Sequence, residues 1–236
     1  MDDKIKKMKI LVIAKVFPSI SETFILRRIV ELIKRKNTVK ILARYGDFSS
    51  LHQHIKKYNL LSHLHFYHIP RKIWRRILFQ IMAEYKVISH SLKSFSKCIN
   101  FFLHNPSDII SGRTFFYYTS LQKLSHLFPF DIANVHYGGN AQIALILKKL
   151  GIVRFIVVNF HGNDLRAGIR KREIYRKIIN KVDLVIANSQ YMKKELIKIG
   201  FPENKIIVYY PGIDLKEYQW RMPSIKNKKF YNYEWS

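Results

Sequence analysis

Short apolar runs alternate along this chain with stretches of helical periodicity, and that alternation restricts the fold more than any other feature. A parallel sheet needs it, because each strand is covered on both faces and each return to the next strand is made by a helix. Residues 9–16 (KILVIAKV) predict a buried central strand. The pair Phe17 and Pro18 ends it, and Ser19 with Glu22 three residues on predicts a capping box. A helix to about Lys36 follows, with Ile25, Ile29, Leu32 and Ile33 on its inner face. Further strands are predicted over 38–43, 64–69, 131–136, 154–160, 183–188 and 205–210, and helices over 51–61, 141–150, 169–181 and 190–199. Gly151 and Gly200 stand where two of these helices want left-handed caps. The expectation is an α/β chain: seven strands in a Rossmann-like, doubly wound parallel sheet.

Residues 70–130 break the rhythm. Pro70 can open a helix as its first residue, and Ile73, Trp74, Ile77, Leu78, Ile81 and Met82 make one apolar face beside Arg71, Lys72, Arg75 and Arg76. A helical, basic insertion is expected, lying either against its own sheet or on a membrane surface. Beyond Trp220 the periodicity dissolves into a basic, aromatic tail (Lys226, Lys228, Lys229, Tyr231, Tyr233, Trp235) that reads as linker.

The charge is lopsided, with 42 Lys and Arg against 16 Asp and Glu, a net +26. Such a field favours polyanions or the anionic face of a membrane. The basic residues are spread over several helices, no nucleic-acid-binding motif accompanies them, and no specific nucleic acid is expected. Cys98 is the only cysteine, which excludes an intrachain disulfide and fits a reducing compartment. Lys15 interrupts the apolar run near the N-terminus, so it does not read as a signal peptide. No run approaches the ~18 apolar residues of a membrane span. The expected setting is cytoplasmic and peripheral to the inner face of the cell membrane.

Three loops follow the carboxyl ends of predicted strands, where open α/β sheets bind their ligands. The first, FPSISETF at 17–24, lacks the glycines of a dinucleotide fingerprint but offers hydroxyls and N–H groups at a helix start. Ser19, Ser21, Glu22 and Thr23 are its candidate ligands, although caps read as well there. The second, HYGGN at 136–140, brings His136, with Gly138 and Gly139 allowing close backbone approach; a tight turn with an exposed histidine is the alternative. The third, HGND at 161–164, places His161, Gly162 and Asp164 after a buried strand, suited to holding a sugar hydroxyl or sharing in proton transfer.

Taken together, four segments resemble the N-terminal domain of family 4 glycosyltransferases, in particular the colanic-acid and exopolysaccharide branch. They are FPSISETFILRRIVE (17–31), FDIANVHYGG (130–139), NFHGNDLR (159–166) and the stretch from VDLVIANS to PGID (182–214). The resemblance extends to about Tyr218. It implies the GT-B fold, two Rossmann-like domains with the active site in the cleft between them, of which residues 1–218 would be the acceptor side. It further implies transfer with retention from a nucleotide-sugar, without a metal or other cofactor. His161 matches the family histidine that contacts the transferred sugar and is the catalytic candidate; Asn188 joins the substrate-binding set, and the loops at 21–23 and 136–139 match loops facing the same cleft.

The resemblance implies a donor domain after Asp214, with two glutamates separated by seven residues, where about twenty residues remain in this sequence. Glu195 and Glu203 reproduce that spacing, but across a helix end in the other domain. The leading expectation is therefore the acceptor-side half of a hexosyltransferase acting on a lipid-linked or polysaccharide acceptor and inactive alone, with a separate donor-domain chain among its candidate partners. The alternatives are a silent remnant or acceptor-binding subunit, and a basic nucleic-acid- or membrane-binding protein. The histidines at 52, 54, 63, 65 and 68 lack carboxylates placed to complete a metal shell, and no metal is expected.

Overall fold

A computed structural model of the chain describes residues 7–69, 113–164 and 173–212. Seven parallel strands form one sheet in the order β3-β2-β1-β4-β5-β6-β7. They are β1 (Lys9–Val16), β2 (Thr38–Tyr45), β3 (Leu64–Phe66), β4 (Phe130–His136), β5 (Val153–Asn159), β6 (Leu184–Ala187) and β7 (Ile206–Val208). The helices among the described residues are α1 (Thr23–Lys34), α2 (Gln53–Lys57), α3 (Arg113–Leu121), α4 (Ala141–Lys149), α5 (Glu173–Arg176) and α6 (Gln190–Ile199), with short 3-10 turns between. The doubly wound α/β sheet is thus as the sequence predicts, and the winding reverses between β1 and β4. There the loops that follow neighbouring strands diverge and leave a crevice.

Local chemistry accounts for most boundaries. The α6 helix opens on Ser189, whose hydroxyl accepts from the Met192 N–H at 3.1 Å, and closes on Gly200 at φ 115. Gly151, at φ 71, follows α4 in the same left-handed region. Ile25, Leu26, Ile29 and Val30 bury one stripe of α1, each contributing roughly 1.5–3 kcal/mol by leaving water.

The differences from expectation lie at element ends. The capping box does not form: Ser19 bonds Ser21 at 3.2 Å, and Glu22 itself occupies the cap position with no side-chain capping bond. Its carboxylate turns across the sheet edge instead. The helix expected over 51–61 stops after five residues, where Asn59 enters the left-handed region at φ 46 and a 3-10 turn takes over. Phe66 is 43% exposed on the edge strand β3. Of the 70–130 insertion, the described part includes α3 and the 3-10 turn Gln122–Leu127; residues 70–112 lie outside the described residues, as do the tail and the first four residues of the helix expected over 169–181, whose described part is α5 followed by turns over 177–181.

Two cores flank the sheet. One lies between α1, α2 and a face of β1–β3, where Ile10, Val12, Ala14, Val39 and Ile41 pack. The other covers the opposite face from β2 to β7 and includes Leu11, Ile13, Ala133, Val135, Ile156, Val158 and Val185. On β5–β7 the face continuous with the first core belongs to neither. Phe155 is 42%, Ile207 46% and Tyr209 51% exposed there, and Val157, Leu184 and Ile186 are half-buried. No helix of the described residues is long and apolar enough to cross a membrane.

Candidate functional site

The loops after β1, β4 and β5 meet because their strands are neighbours, β1 pairing with β4 and β4 with β5. Between them lies an open cleft of about 350 Å³. Ser21, Glu22 and Phe24 form one wall, and Tyr137, His161, Gly162 and Asn163 the other.

Glu22 and Tyr137 join the walls, the Tyr137 hydroxyl donating to Glu22 Oε1 at 2.8 Å. Tyr137 takes φ 67, an unusual backbone for a side chain this large. It is held there by its N–H to the Asn159 carbonyl (3.0 Å) and by this phenol contact. Burial raises the Glu22 carboxyl above its ordinary range, against the opposing bond from Tyr137.

Asp164 fastens the other two loops. One carboxylate oxygen accepts from the His161 N–H at 3.0 Å and the other from the Gly138 N–H at 3.2 Å, while the Tyr175 hydroxyl donates to its carbonyl at 3.0 Å. Burial pushes the Asp164 carboxyl up to about 6, although the bonds from His161 and Gly138 pull the other way.

His161 is thereby presented to the cleft with its ring against Phe24 (centroids 4.5 Å) and Tyr137 (4.7 Å). Behind it lies His136, whose Nδ1 is 3.3 Å from His161 Nε2. Burial first, and then the charge of Arg28, hold the His161 imidazole down at about 4, and burial depresses His136 as well, so both rings are neutral at neutral pH. His136 Nε2 is buried without a partner. A buried N–H without an acceptor is the rarer orphan, which favours the tautomer with the His136 proton on Nδ1, donating to His161. His161 then carries its own proton on Nδ1, as a donor.

The structure therefore brings together Ser21, Glu22, His161 and Gly162 as cleft-lining residues and corrects the roles of several others. His136 is 2% exposed, so it backs His161 and does not face a ligand. Gly138 is buried, and a Cβ there would fall 2.6–2.8 Å from the Phe160 and Tyr175 rings, so packing demands this glycine. Asp164 is a buried clamp. Gly139 and Gly162 have open space around them. Ser19, Thr23 and Asn188 stand near the same edge but outside the cleft lining, Asn188 two residues beyond Ile186, which pairs with Asn159. The decoy glutamates make surface ion pairs, Glu195 with Lys198 and Glu203 with Lys193. Sequence reading missed Phe24, Tyr137 and Arg28 as individuals. Aromatic residues at strand and helix ends read as core, and an arginine on a helix reads as solvated.

A family model described as Glycosyltransferase Family 4 matches residues 99–217, just over half of the chain. The chain belongs to glycosyltransferase family 4. Among curated relatives it is 25% identical over 224 residues to WcaL of Salmonella typhimurium, named as a colanic acid biosynthesis glycosyltransferase, covering 91% of this chain and 53% of WcaL. It is 26% identical over 227 residues to the amylovoran biosynthesis glycosyltransferase AmsK of Erwinia amylovora, with the same coverage of 91% and 53%. The chain thus spans about half the length of the curated relatives it matches. A solved structure of Anabaena HepE in complex with UDP-glucose superposes with a TM-score of 0.56 at 16% identity, covering 91% of this chain and 47% of HepE. That likeness is one of fold, the Rossmann-like half of a GT-B architecture.

Proposed function

We propose that this chain supplies the acceptor side of a retaining hexosyltransferase, holding a lipid-linked or polysaccharide acceptor while a nucleotide-sugar is bound by a donor domain. The observation that carries the reading is His161 itself. It is a neutral imidazole clamped through its backbone to a buried carboxylate and presented to a cleft at the sheet's reversal point, beside the Glu22–Tyr137 pair. A neutral ring with a free N–H suits a sugar hydroxyl, and the carboxylate and phenol add acceptors for its neighbours. During transfer the donor's sugar–phosphate bond breaks with positive charge growing on the sugar ring. Groups of the donor domain stabilise the departing phosphate, while His161 positions sugar and acceptor. Ser21, Glu22, His161 and Gly162 are the contact residues in this proposal, and no metal takes part.

The chain spans about half the length of these relatives, and in this reading turnover needs a donor domain to complete the cleft. The net charge of +26 supports peripheral binding to an anionic membrane surface, where the acceptor lipid would reside. The test is a transfer assay with labelled nucleotide-sugars and lipid-linked acceptors, run on the chain alone and with the carboxyl-terminal half of a WcaL-type relative. Transfer only in the second case is expected. Turnover by the chain alone would overturn the division of labour.

A further inference from the structure

Arg28 stands one helical turn beyond Phe24 on α1, so the two side chains share a face over the carboxyl edge of the sheet. Its Nη2 donates to Asn159 Oδ1 at 3.4 Å, and its guanidinium carbon lies 4.6 Å from the centroid of the Tyr209 ring. Asn159 is fixed to receive it. Both N–H groups of its amide are used inward, on Asn134 Oδ1 and on the Val135 carbonyl, which leaves only the amide oxygen facing Arg28. Asn159 pairs in register with His136 and is two residues from His161, so the guanidinium borders the histidine pair. Among the described residues no carboxylate partners Arg28, and four of its five N–H donors have no acceptor.

A half-buried guanidinium on one long bond and one aromatic face is poorly compensated for the water it has lost. An oxyanion, taken bidentately by that planar fork, supplies what is missing. We propose that Arg28 reads a negatively charged group, a phosphate or carboxylate oxygen, on the saccharide bound beside His161. The family assignment does not carry this residue's role. The inference rests on the acceptor-site reading above and narrows its substrate class to acidic or phosphorylated saccharides. Burial is the larger cause of the depressed histidines, and the Arg28 charge that would attract the ligand's anion adds to it.

The experiment is a titration of the full 236-residue chain, followed by NMR at the histidine ring protons. The probes are glucose, glucuronate, glucose 1-phosphate and UDP. At least one charged saccharide should bind about tenfold or more tightly than glucose, and Arg28→Gln should abolish that preference. Glucuronate against glucose 1-phosphate separates a carboxylate from a phosphate source, and preference for UDP alone would place the anion on the donor and overturn the acceptor assignment. Arg35→Gln removes the same charge from an exposed site on the same helix and should change nothing. Equal losses in the two variants would mean diffuse attraction by the basic surface and would sink the proposal, as would equal binding of glucose and the charged sugars or binding of none of them. Arg28→Lys keeps the charge without the fork, and partial loss there guards against misfolding of the glutamine variant. Glucose binding at His161 with Arg28→Gln silent would leave the acceptor reading standing and remove this inference alone.

Discussion

The imidazoles of His136 and His161 stack nearly parallel, 9° apart in plane, with a nitrogen of each 3.3 Å from the other. One ring is sealed in the sheet and the other borders the cleft, so the two should divide their effects cleanly. In a complete enzyme, His161→Ala is expected to lower kcat about 100-fold, near 2.7 kcal/mol, with little change in melting temperature. His136→Ala should instead lower stability by roughly 2–4 kcal/mol, because it empties a packed position. Turnover and thermal melting measured on both variants decide the division.

Acid should loosen this domain before it would loosen one without the pair. His161 titrates at about 4 when folded against an ordinary 6.5, and His136 is depressed in the same direction. Between those values the unfolded chain binds the extra protons, so stability is full above about pH 6.5 and falls as pH drops toward 4, by about 1.4 kcal/mol per unit for each histidine. Asp164 works against this, since its raised value near 6 makes the folded state the better proton binder from about pH 6 down to 3.8. The net expectation is a melting temperature that declines between pH 6.5 and 5. His136→Phe should flatten the decline; an unchanged slope would remove the pair as its cause.

Glycines in the neighbouring loops after β4 and β5 should respond differently to one methyl group. Gly138→Ala drives a carbon into the Phe160 and Tyr175 rings and should cost about 1–3 kcal/mol. Gly162→Ala meets open space and should leave denaturant midpoints unchanged while weakening saccharide binding, if the cleft is used as proposed.

Asp164→Ala removes the acceptor for two backbone N–H groups on different loops. A loss of roughly 2–4 kcal/mol is expected, at about 1.5–3 for each bond to a charged group less relaxation. Hydrogen exchange should quicken at both Gly138 and His161. Faster exchange at only one would show that the loops are held separately.

The seven strands and the positions of the loops after them were legible in the sequence because both depend on periodicity and on glycine and proline punctuation. Lys9–Val16 and Gln190–Ile199 fall where the pattern puts them. What sequence could not show was direction across the sheet. Glu22 looked like a partner for Ser19 three residues away, yet its carboxylate is taken by Tyr137, 115 positions along the chain. His136 looked exposed because it ends a strand, but Phe24 from the neighbouring loop closes over it (centroids 6.3 Å). Asp164 likewise read as a ligand until its two oxygens were seen to be occupied by backbone. Each of these depends on contacts between segments that no local pattern encodes.

The face of β5–β7 that neither core covers among the described residues bears on how substitutions in this chain should be interpreted. Phe155, Ile207 and Tyr209 keep 42%, 46% and 51% of their surface in water when the domain folds, so exchanging them for serine or threonine should cost the chain less than the same change in either core. A stability screen on the chain by itself would score these positions as mild. The same substitutions examined in any assembly that lays a surface over that face would become costly, since the apolar area would then be buried. Tolerance measured on one form is therefore not transferable to the other, and the difference between the two screens would map the covering surface residue by residue.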